Sequence, residues 1–544
     1  MKIFDRTAKP GPKKILLISP CSEKEMADRY FMSPPLGVIR LAGYLSKYGH
    51  NAEYFDPNVF IVTGTGVSID QKLAADDWDI IGFSSLDETL ITDIQNMYKA
   101  RKINPSALIV AGGIEAQFNY QTILDKAPCS IVILGEGELP MLKLANGVPP
   151  HEIPGIVLKN AAAALSQEVF NEATMGIRWE DLPYETYWDH YVERYGDAIT
   201  ETNVQEIHTV RVFSRNRCPI GCKFCSSTNQ LTWGSDGNVP VISTTEENLI
   251  EVIKRVVVSH PRVKTIYLTD DDFCINKRSV ERFCDQVIAE DFGDLSFMCF
   301  GRATDLHPSL LLKMKEANFR RIIIGVESFS QTVLDDMNKR CSVSEVHEVL
   351  DTCYEIGLKP HINIILITPR TELHDIELSV EWALYYLLHE RVHAAVIPAI
   401  RPLKGTDYFE EYHDFKTEMC TIPGTKYSLK VDEMIWADDP IVRELQARYC
   451  DGLRDEIQLQ VKAHRIAHPT GNTIAMFSLM YMKMLINDVK QEYGITSAPE
   501  FPFDADYQSR VENEFADYIR KRNGLLNVKG NVAEVDFSRN AGNV

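Results

Sequence analysis

Between residues 14 and 148, apolar positions fall in short unbroken runs, separated by longer stretches where they recur every three or four residues. Lys14-Ile-Leu-Leu-Ile-Ser19 predicts a buried strand, followed by a helix over 36–48 that stops at Gly49. Further strands are expected near 52–56, 79–84, 107–111 and 130–134. Continuous apolar strands alternating with helices predict a parallel sheet covered on both faces, a doubly wound α/β domain. Such sheets bind ligands at the carboxyl ends of their strands. Ser84-Ser85, Gly112-Gly113 and Gly135-Glu-Gly-Glu138 lie at those ends. Glycines there let a backbone approach a large flat ligand closely.

A connector is expected over 151–205, with a small hairpin formed by 156–159 and 168–170. Tyr184, Tyr187, Trp188 and Tyr191 are expected to pack between domains. A second βα series follows, with strands near 208–214, 264–269, 295–300, 321–326, 361–367 and 394–399. Helical patterns fill its gaps, from the Thr245-Glu-Glu run to 376–387. Residues 406–544 carry no βα rhythm and are expected to be mostly helical; the Met- and Leu-rich stretch 476–489 suits a packed helix. The predicted organisation is a Rossmann-type domain over 1–150, the connector, a βα domain over 206–405 and a helical region over 406–544.

Composition narrows the classes. A chain of 544 residues is long enough for about three or four domains. Hydrophobic content of 45% and charged content of 25% suit an ordinary globular protein. A formal charge of -20 argues against a nucleic-acid partner, since counterion release needs a basic surface. It leaves room for a small-molecule or peptide substrate. Twelve cysteines form no disulfide-like framework, which points to a reducing compartment. Without an N-terminal apolar segment or a run of 18 apolar residues, the expected location is cytoplasmic, with no membrane span.

The most informative chemistry is Arg217-Cys-Pro-Ile-Gly-Cys-Lys-Phe-Cys-Ser226. Iron–sulfur clusters are normally held by four thiolates. The triplet Cys218, Cys222 and Cys225 has no evident fourth partner, so a 4Fe-4S cluster here would keep one iron open. A structural zinc site would want a second Cys or His pair, and none lies nearby. The spacing, with an aromatic before the last Cys, resembles the radical S-adenosylmethionine (SAM) enzymes. That resemblance implies a partial (βα)6 barrel over 206–405. It also implies SAM chelated to the open iron and cleaved to a 5′-deoxyadenosyl radical that removes hydrogen from unactivated carbon.

By the same resemblance, Thr269-Asp-Asp-Asp-Phe273 matches an Asp-Asp-x-Phe element, so Asp270 and Asp271 would take SAM's ammonium group. The other reading of these acids is a cluster favoured by a helix dipole. Arg302 would pair with SAM's carboxylate, Glu327 and Ser328 in Gly325-Val-Glu-Ser328 would face SAM, and Phe224 would lie near adenine through its backbone. Ile367-Thr-Pro-Arg-Thr-Glu372 departs from the family's Gly-x-Pro-Gly-Glu-Thr loop, with Arg370 in place of a glycine. Arg401-Pro-Leu-Lys-Gly-Thr406 resembles its Pro-Gly-Thr turn. No residue is assigned to proton transfer or covalent catalysis. The other nine cysteines show no cluster spacing, so a second cluster is not expected.

Met32-Ser-Pro-Pro-Leu-Gly37, Ala111-Gly-Gly113 and Gly135-Glu-Gly-Glu138 resemble the cobalamin-binding domain that precedes the barrel in one radical SAM class. This implies corrinoid contacts from Pro35, Gly37, Ser84, Ser85, Gly112, Gly113, Gly135 and Glu136. The Asp-x-His-x-x-Gly motif that ligates cobalt in mutases is missing from 1–150; the nearest match, Asp305-Leu-His307, lacks the Gly and lies in the barrel. An empty flavodoxin-like domain is the other reading. The resemblance implies a cobalamin-dependent radical SAM enzyme that methylates an unactivated carbon of a small molecule or peptide. An external flavodoxin- or ferredoxin-type donor would supply electrons. The alternatives are cyclisation, rearrangement or dehydrogenation without methyl transfer and, further off, an electron-transfer or sensing role.

Overall fold

A computed structural model describes residues 11–24, 33–159, 177–195, 207–225, 241–466 and 469–526. Met32, Ser226 and the 168–170 half of the expected hairpin lie outside them.

The first sheet runs β2-β1-β3-β4-β5-β6, from strands β1 (Lys14–Ile18), β2 (Asn51–Phe55), β3 (Ile80–Ser84), β4 (Leu108–Gly112), β5 (Ile131–Ile133) and β6 (Ile156–Leu158). The first five are parallel in the flavodoxin-like order 2-1-3-4-5. Both faces are buried. Leu16, Ile18, Ile81, Phe83 and Ile109 enter one core, while Ile15, Leu17, Ile80, Val110 and Ile131 enter the other. β6 pairs antiparallel with β5. The 156–158 segment therefore extends this sheet, its partner being the strand already there.

The second sheet is a half-barrel of six parallel strands: β7 (Thr209–Val212), β8 (Thr265–Leu268), β9 (Ser296–Gly301), β10 (Phe319–Glu327), β11 (His361–Ile367) and β12 (His393–Ala399), paired in sequence order. Here the faces differ. Val210, Val212, Ile266, Leu268, Ile322 and Ile364 are buried under the outer helices, whereas Arg211, Tyr267, Met298, Arg321 and Asn363 on the opposite face are half-buried. Trp179, Tyr184 and Trp188 cap the open edge of β7, where the Trp179 indole donates to the Arg211 carbonyl at 2.9 Å. Tyr187 reaches the first domain, its hydroxyl donating to Asp56 at 2.8 Å.

Beyond the barrel, an antiparallel hairpin of β13 (Phe415–Thr421) and β14 (Ser428–Ile435) precedes three long helices, Pro440–Ala463, Gly471–Tyr493 and Ala505–Leu526. The hairpin was not legible as such, because Phe415–Thr421 has no fully buried residue and so carries no apolar run. Residues 476–489 lie in the second helix, with Phe477, Leu479, Met480, Met482, Leu485 and Ile486 buried.

Candidate active site

The chain leaves β7 and turns through the cysteine triplet, with Gly221 at φ +75° between Cys218 and Cys222. The segment after β10 holds this loop. The Lys223 N–H donates to the Met337 carbonyl at 3.0 Å, and the Asn338 amide donates to the Gly221 carbonyl at 2.9 Å. Tyr408 N–H closes the other side on the Lys223 carbonyl at 3.1 Å. Cys222 is buried, and Cys218 and Cys225 are partly exposed. Burial pushes the Cys218 thiol up to about 11 and also raises Cys222, with Lys339 working against the latter; bound iron reverses that direction, since a ligating thiol is deprotonated. No three His, Cys, Asp or Glu side chains among the described residues converge as on a single ion. A cubane places its thiolates on separate irons, so a spread triplet fits a cluster better than a mononuclear site.

Beside the loop lies a buried ion pair. Lys339 Nζ sits 2.7 Å from Glu327 Oε1, both side chains less than a tenth exposed, and 5.8 Å over the Phe224 ring. Burial pulls the ammonium down, but Glu327 and Cys222 outweigh it and its pKa is raised. Glu327 ends β10 at φ +63°, beside a bulge in the ladder to β11. Asn338 and Arg340, flanking Lys339, are also left-handed, at φ +53° and +55°. Strained non-glycine backbone of this kind clusters at functional sites. Gly325 makes room for the pair: a Cβ there would force Glu327 Oε1 and Lys339 Nζ to shift.

Arg302 is buried, with Nη2 donating to the carbonyls of Lys339 (2.7 Å) and Arg340 (3.2 Å), while its Nε has no partner. Asp270 is committed elsewhere, accepting from Ser214 N–H at 3.0 Å and from its hydroxyl at 3.1 Å, which ties the ends of β7 and β8. Asp271 is exposed at the mouth. Ser328 is buried, its hydroxyl occupied by Ser379 at 2.9 Å and by Ser330 N–H at 3.1 Å. The residue missed from sequence is Asp272. It is 2% exposed and its Oδ2 accepts no hydrogen bond; burial, then Asp305, push it up to about 7. Orphaned atoms of opposite charge, Asp272 Oδ2 and Arg302 Nε, suit the ammonium and carboxylate of an amino-acid moiety. Nothing in a run of three aspartates tells which one keeps a free oxygen.

The carboxyl ends of the two sheets face each other across a cavity of about 470 Å³. Six residues expected to hold a corrinoid line it: Gly37, Ser84, Gly112, Gly113, Gly135 and Glu136. Phe213, Arg215, Asn216, Thr269, Asp270 and Asp271 line it from the barrel side. Pro35 instead precedes the helix Leu36–Lys47, and Ser85 is fully buried behind the wall, its N–H donating to the Gly112 carbonyl at 3.0 Å. A Cβ on Gly37 or Gly112 would meet nothing within 4 Å, so both leave free space against the cavity, as a flat ring needs. Gly113, at φ +88°, serves packing, since a Cβ would come within 2.9 Å of Ser84 and Ser85. At the rim, Arg40 pairs with Glu138 at 2.6 Å across 98 residues of sequence, a contact no local pattern announces. No His or Cys lines the cavity among the described residues.

The model of the Radical SAM superfamily matches residues 212–383, and that of the B12 binding domain matches 26–145. The chain is 22% identical to an uncharacterised methyltransferase of Pyrococcus horikoshii over 377 residues, 68% of this chain and 77% of that protein. It is 26% identical to the anaerobic magnesium-protoporphyrin IX monomethyl ester cyclase of Rubrivivax gelatinosus over 65% of this chain and 62% of that one. Among solved structures, cobalamin-dependent SAM radical enzyme OxsB with aqua-cobalamin bound superposes at TM-score 0.65 and 14% identity, over 97% of this chain and 82% of the other. The radical SAM methyltransferase TsrM of Kitasatospora setae superposes at 0.58 and 11% identity, over 88% of this chain and 100% of the other. With both domains matched, and Phe213, Arg215 and Asn216 just before the cysteine triplet lining the cavity opposite the glycine wall, the chain belongs to the radical SAM enzymes that carry a cobalamin-binding domain.

Proposed function

We propose that this protein is a cobalamin-dependent radical SAM methyltransferase acting on an unactivated carbon of a small molecule or peptide. The observation that carries it is the shared cavity, which puts the Gly37 and Gly112 wall and the Asp271 side of the SAM mouth on one space. When bound, the cluster with SAM supplies a carbon radical and cobalamin supplies a methyl carrier.

The residues themselves position and shield. Cys218, Cys222 and Cys225 would hold the cluster, and the Met337 carbonyl and the Asn338 side-chain amide fix their loop. Asp272 accepts the SAM ammonium group, Arg302 donates to its carboxylate, and Asp271 lies where the mouth meets the cavity. The Glu327–Lys339 pair keeps a compensated, buried charge couple beside the cluster loop, with the Lys339 ammonium 5.8 Å over the Phe224 ring. Asp270 and Ser328 hold the loops that carry these groups. The wall from Gly37 to Glu136 takes the corrinoid by shape. Electrons come from an external one-electron donor of flavodoxin or ferredoxin type.

A second reading, ring closure without methyl transfer, uses the same site and draws on the relatives named as cyclases. Anaerobic reconstitution with iron, sulfide and hydroxocobalamin, followed by reduction with a low-potential one-electron donor and reaction with SAM deuterated at its methyl, tests both. One corrinoid per chain, with label retained on cobalt, supports methyl transfer. A cluster that cleaves SAM without retaining corrinoid sinks it.

A further inference from the structure

Glu138, in the wall of the cavity, is buried and only half satisfied. It opens the helix Glu138–Ala145, directly after the Gly135-Glu-Gly137 turn that follows β5. The residue is 2% exposed. Its Oε1 accepts from Arg40 Nε at 2.6 Å, while Oε2 is buried and has no hydrogen-bond partner. A carboxylate oxygen left in this state is costly, and native structures rarely keep one without a reason. Bulk water does not supply the missing donor. Glu138 lines the cavity, so a ligand there is the donor within reach.

The neighbouring residues bring this carboxylate close to the space a flat ring takes. Gly37 and Arg40 lie three apart on the helix Leu36–Lys47, so they share a face, and both line the cavity. Gly37 leaves open space there, since a Cβ would meet nothing within 4 Å. Leu41 rests on Gly137, where a Cβ would come 3.4 Å from its Cδ2. That packing holds the helix against the loop that delivers Glu138. Arg40 is the positioning residue: it occupies one carboxylate oxygen and thereby fixes the other. The rest of the lining has the same bias, with the acids Glu136, Glu138, Asp270 and Asp271 against the bases Arg40 and Arg215. Such a wall favours hydrogen-bond donors and disfavours carboxylates.

We propose that Glu138 Oε2 accepts a hydrogen bond from a primary carboxamide on the edge of the corrinoid, and that this contact makes the cradle selective for the amidated ring. A primary amide offers two N–H donors, and hydrogen bonds to an ionised acceptor are the strong ones. A carboxylate in place of that amide has no donor to give. It also brings a second negative charge against a buried one, so the same contact turns repulsive. The proposal rests on corrinoid binding, not on which reaction follows. It adds the recognition of one side chain to recognition by shape.

The test uses the full chain with its cluster reconstituted. Equilibrium dialysis compares hydroxocobalamin with each of its monocarboxylic acids, in which a single side-chain amide has become a carboxylate. One of these acids should bind the wild type about tenfold or more weakly than hydroxocobalamin. Glu138→Gln should close that gap for the same acid, because the new amide donates to its carboxylate, and leave the other acids where they were. If that variant does not fold, Arg40→Gln with Glu138→Gln, which leaves no unpaired charge, is read in its place. The cluster's absorbance reports folding in the same samples. All the acids binding as tightly as hydroxocobalamin overturns the proposal, as does a gap that a folded variant leaves unchanged. A wild type that retains no corrinoid at all would sink the methyltransferase reading first and the proposal with it, so the two failures are told apart.

Discussion

The two six-stranded sheets use parallel strands in different ways. The first buries both faces and offers only its carboxyl edge, lined by Gly37, Gly112 and Gly135. The half-barrel buries one face, leaves the other open, and crowds its carboxyl edge with Glu327, Lys339, Arg302 and Asp272. A glycine-lined, side-chain-poor edge suits a large rigid cofactor recognised by shape. A charged, strained edge suits a small zwitterion that must be held by its ends. The same strand-and-helix repeat thus yields a cradle and a reaction chamber, distinguished by which face the helices leave uncovered.

The sharpest way to break this division is to lose one site without the other. Replacing Cys222 by Ala should abolish the cluster's visible absorption and all SAM cleavage, while hydroxocobalamin is still retained. Replacing Gly112 by Phe should do the reverse for cofactor content: iron stays bound and corrinoid affinity falls by about a hundredfold, because the ring fills the cradle. Corrinoid lost with the cysteine, or kept with the phenylalanine, would show that the two edges are not independent.

Next in size is the ion pair at the charged edge. Glu327→Gln leaves the Lys339 ammonium buried without a counter-charge, which should cost about 3 kcal/mol of stability. Glu327→Gln combined with Lys339→Met should recover much of that, since an apolar pair replaces an orphaned charge. Thermal melts of the two variants and the wild type check it. A single variant as stable as the wild type would remove the pair from the account of the site.

Much of this was written in the sequence, for physical reasons that also explain the gaps. Runs such as Ile-Leu-Leu-Ile in β1 are legible because both faces of their sheet are buried, and Cys218, Cys222 and Cys225 because one loop carries all three. The choice among Asp270, Asp271 and Asp272 was not legible. It depends on Ser214 arriving from β7 to occupy the first and on Asp305 arriving from beyond β9 to face the third. Lys339 gave no signal either, because its importance comes from Glu327, on another element, and from Gly325, which makes room for both.

The edges are also tied to each other, and that tie should give a smaller effect. The turn after β12 reaches back to the first domain: Arg401 pairs with Asp87 at 2.5 Å and Glu88 at 2.8 Å, Lys404 bonds Asn119, and Gly405 lies under the Phe118 ring. Asp87 follows the cavity residue Leu86, and Asn119 shares a helix with the cavity residues Ile114 and Gln117. Arg401→Gln removes partly exposed pairs worth under about 1 kcal/mol, so the melting temperature should barely move. Corrinoid affinity should still drop by roughly fivefold, because two walls of the cradle lose a common anchor. Equilibrium dialysis with hydroxocobalamin reads it.

The smallest effect separates the edges by pH. Asp272 is pushed up to about 7, by burial and then Asp305, and Glu115 up to about 8, by burial and then Asp87. Both native carboxyls hold protons that the unfolded chain has already released above about pH 4, so stability falls as pH rises through that window. SAM binding should go the other way, because Asp272 must be ionised to accept an ammonium group. Between about pH 6 and 8 the KM for SAM should therefore fall a few-fold while the melting temperature declines. Asp272→Asn should flatten the KM profile, and Glu115→Gln should flatten only the melting profile. If both variants flatten the same curve, the two carboxyls belong to one titrating network across the cavity, and the division between a glycine-lined edge and a charged one fails there.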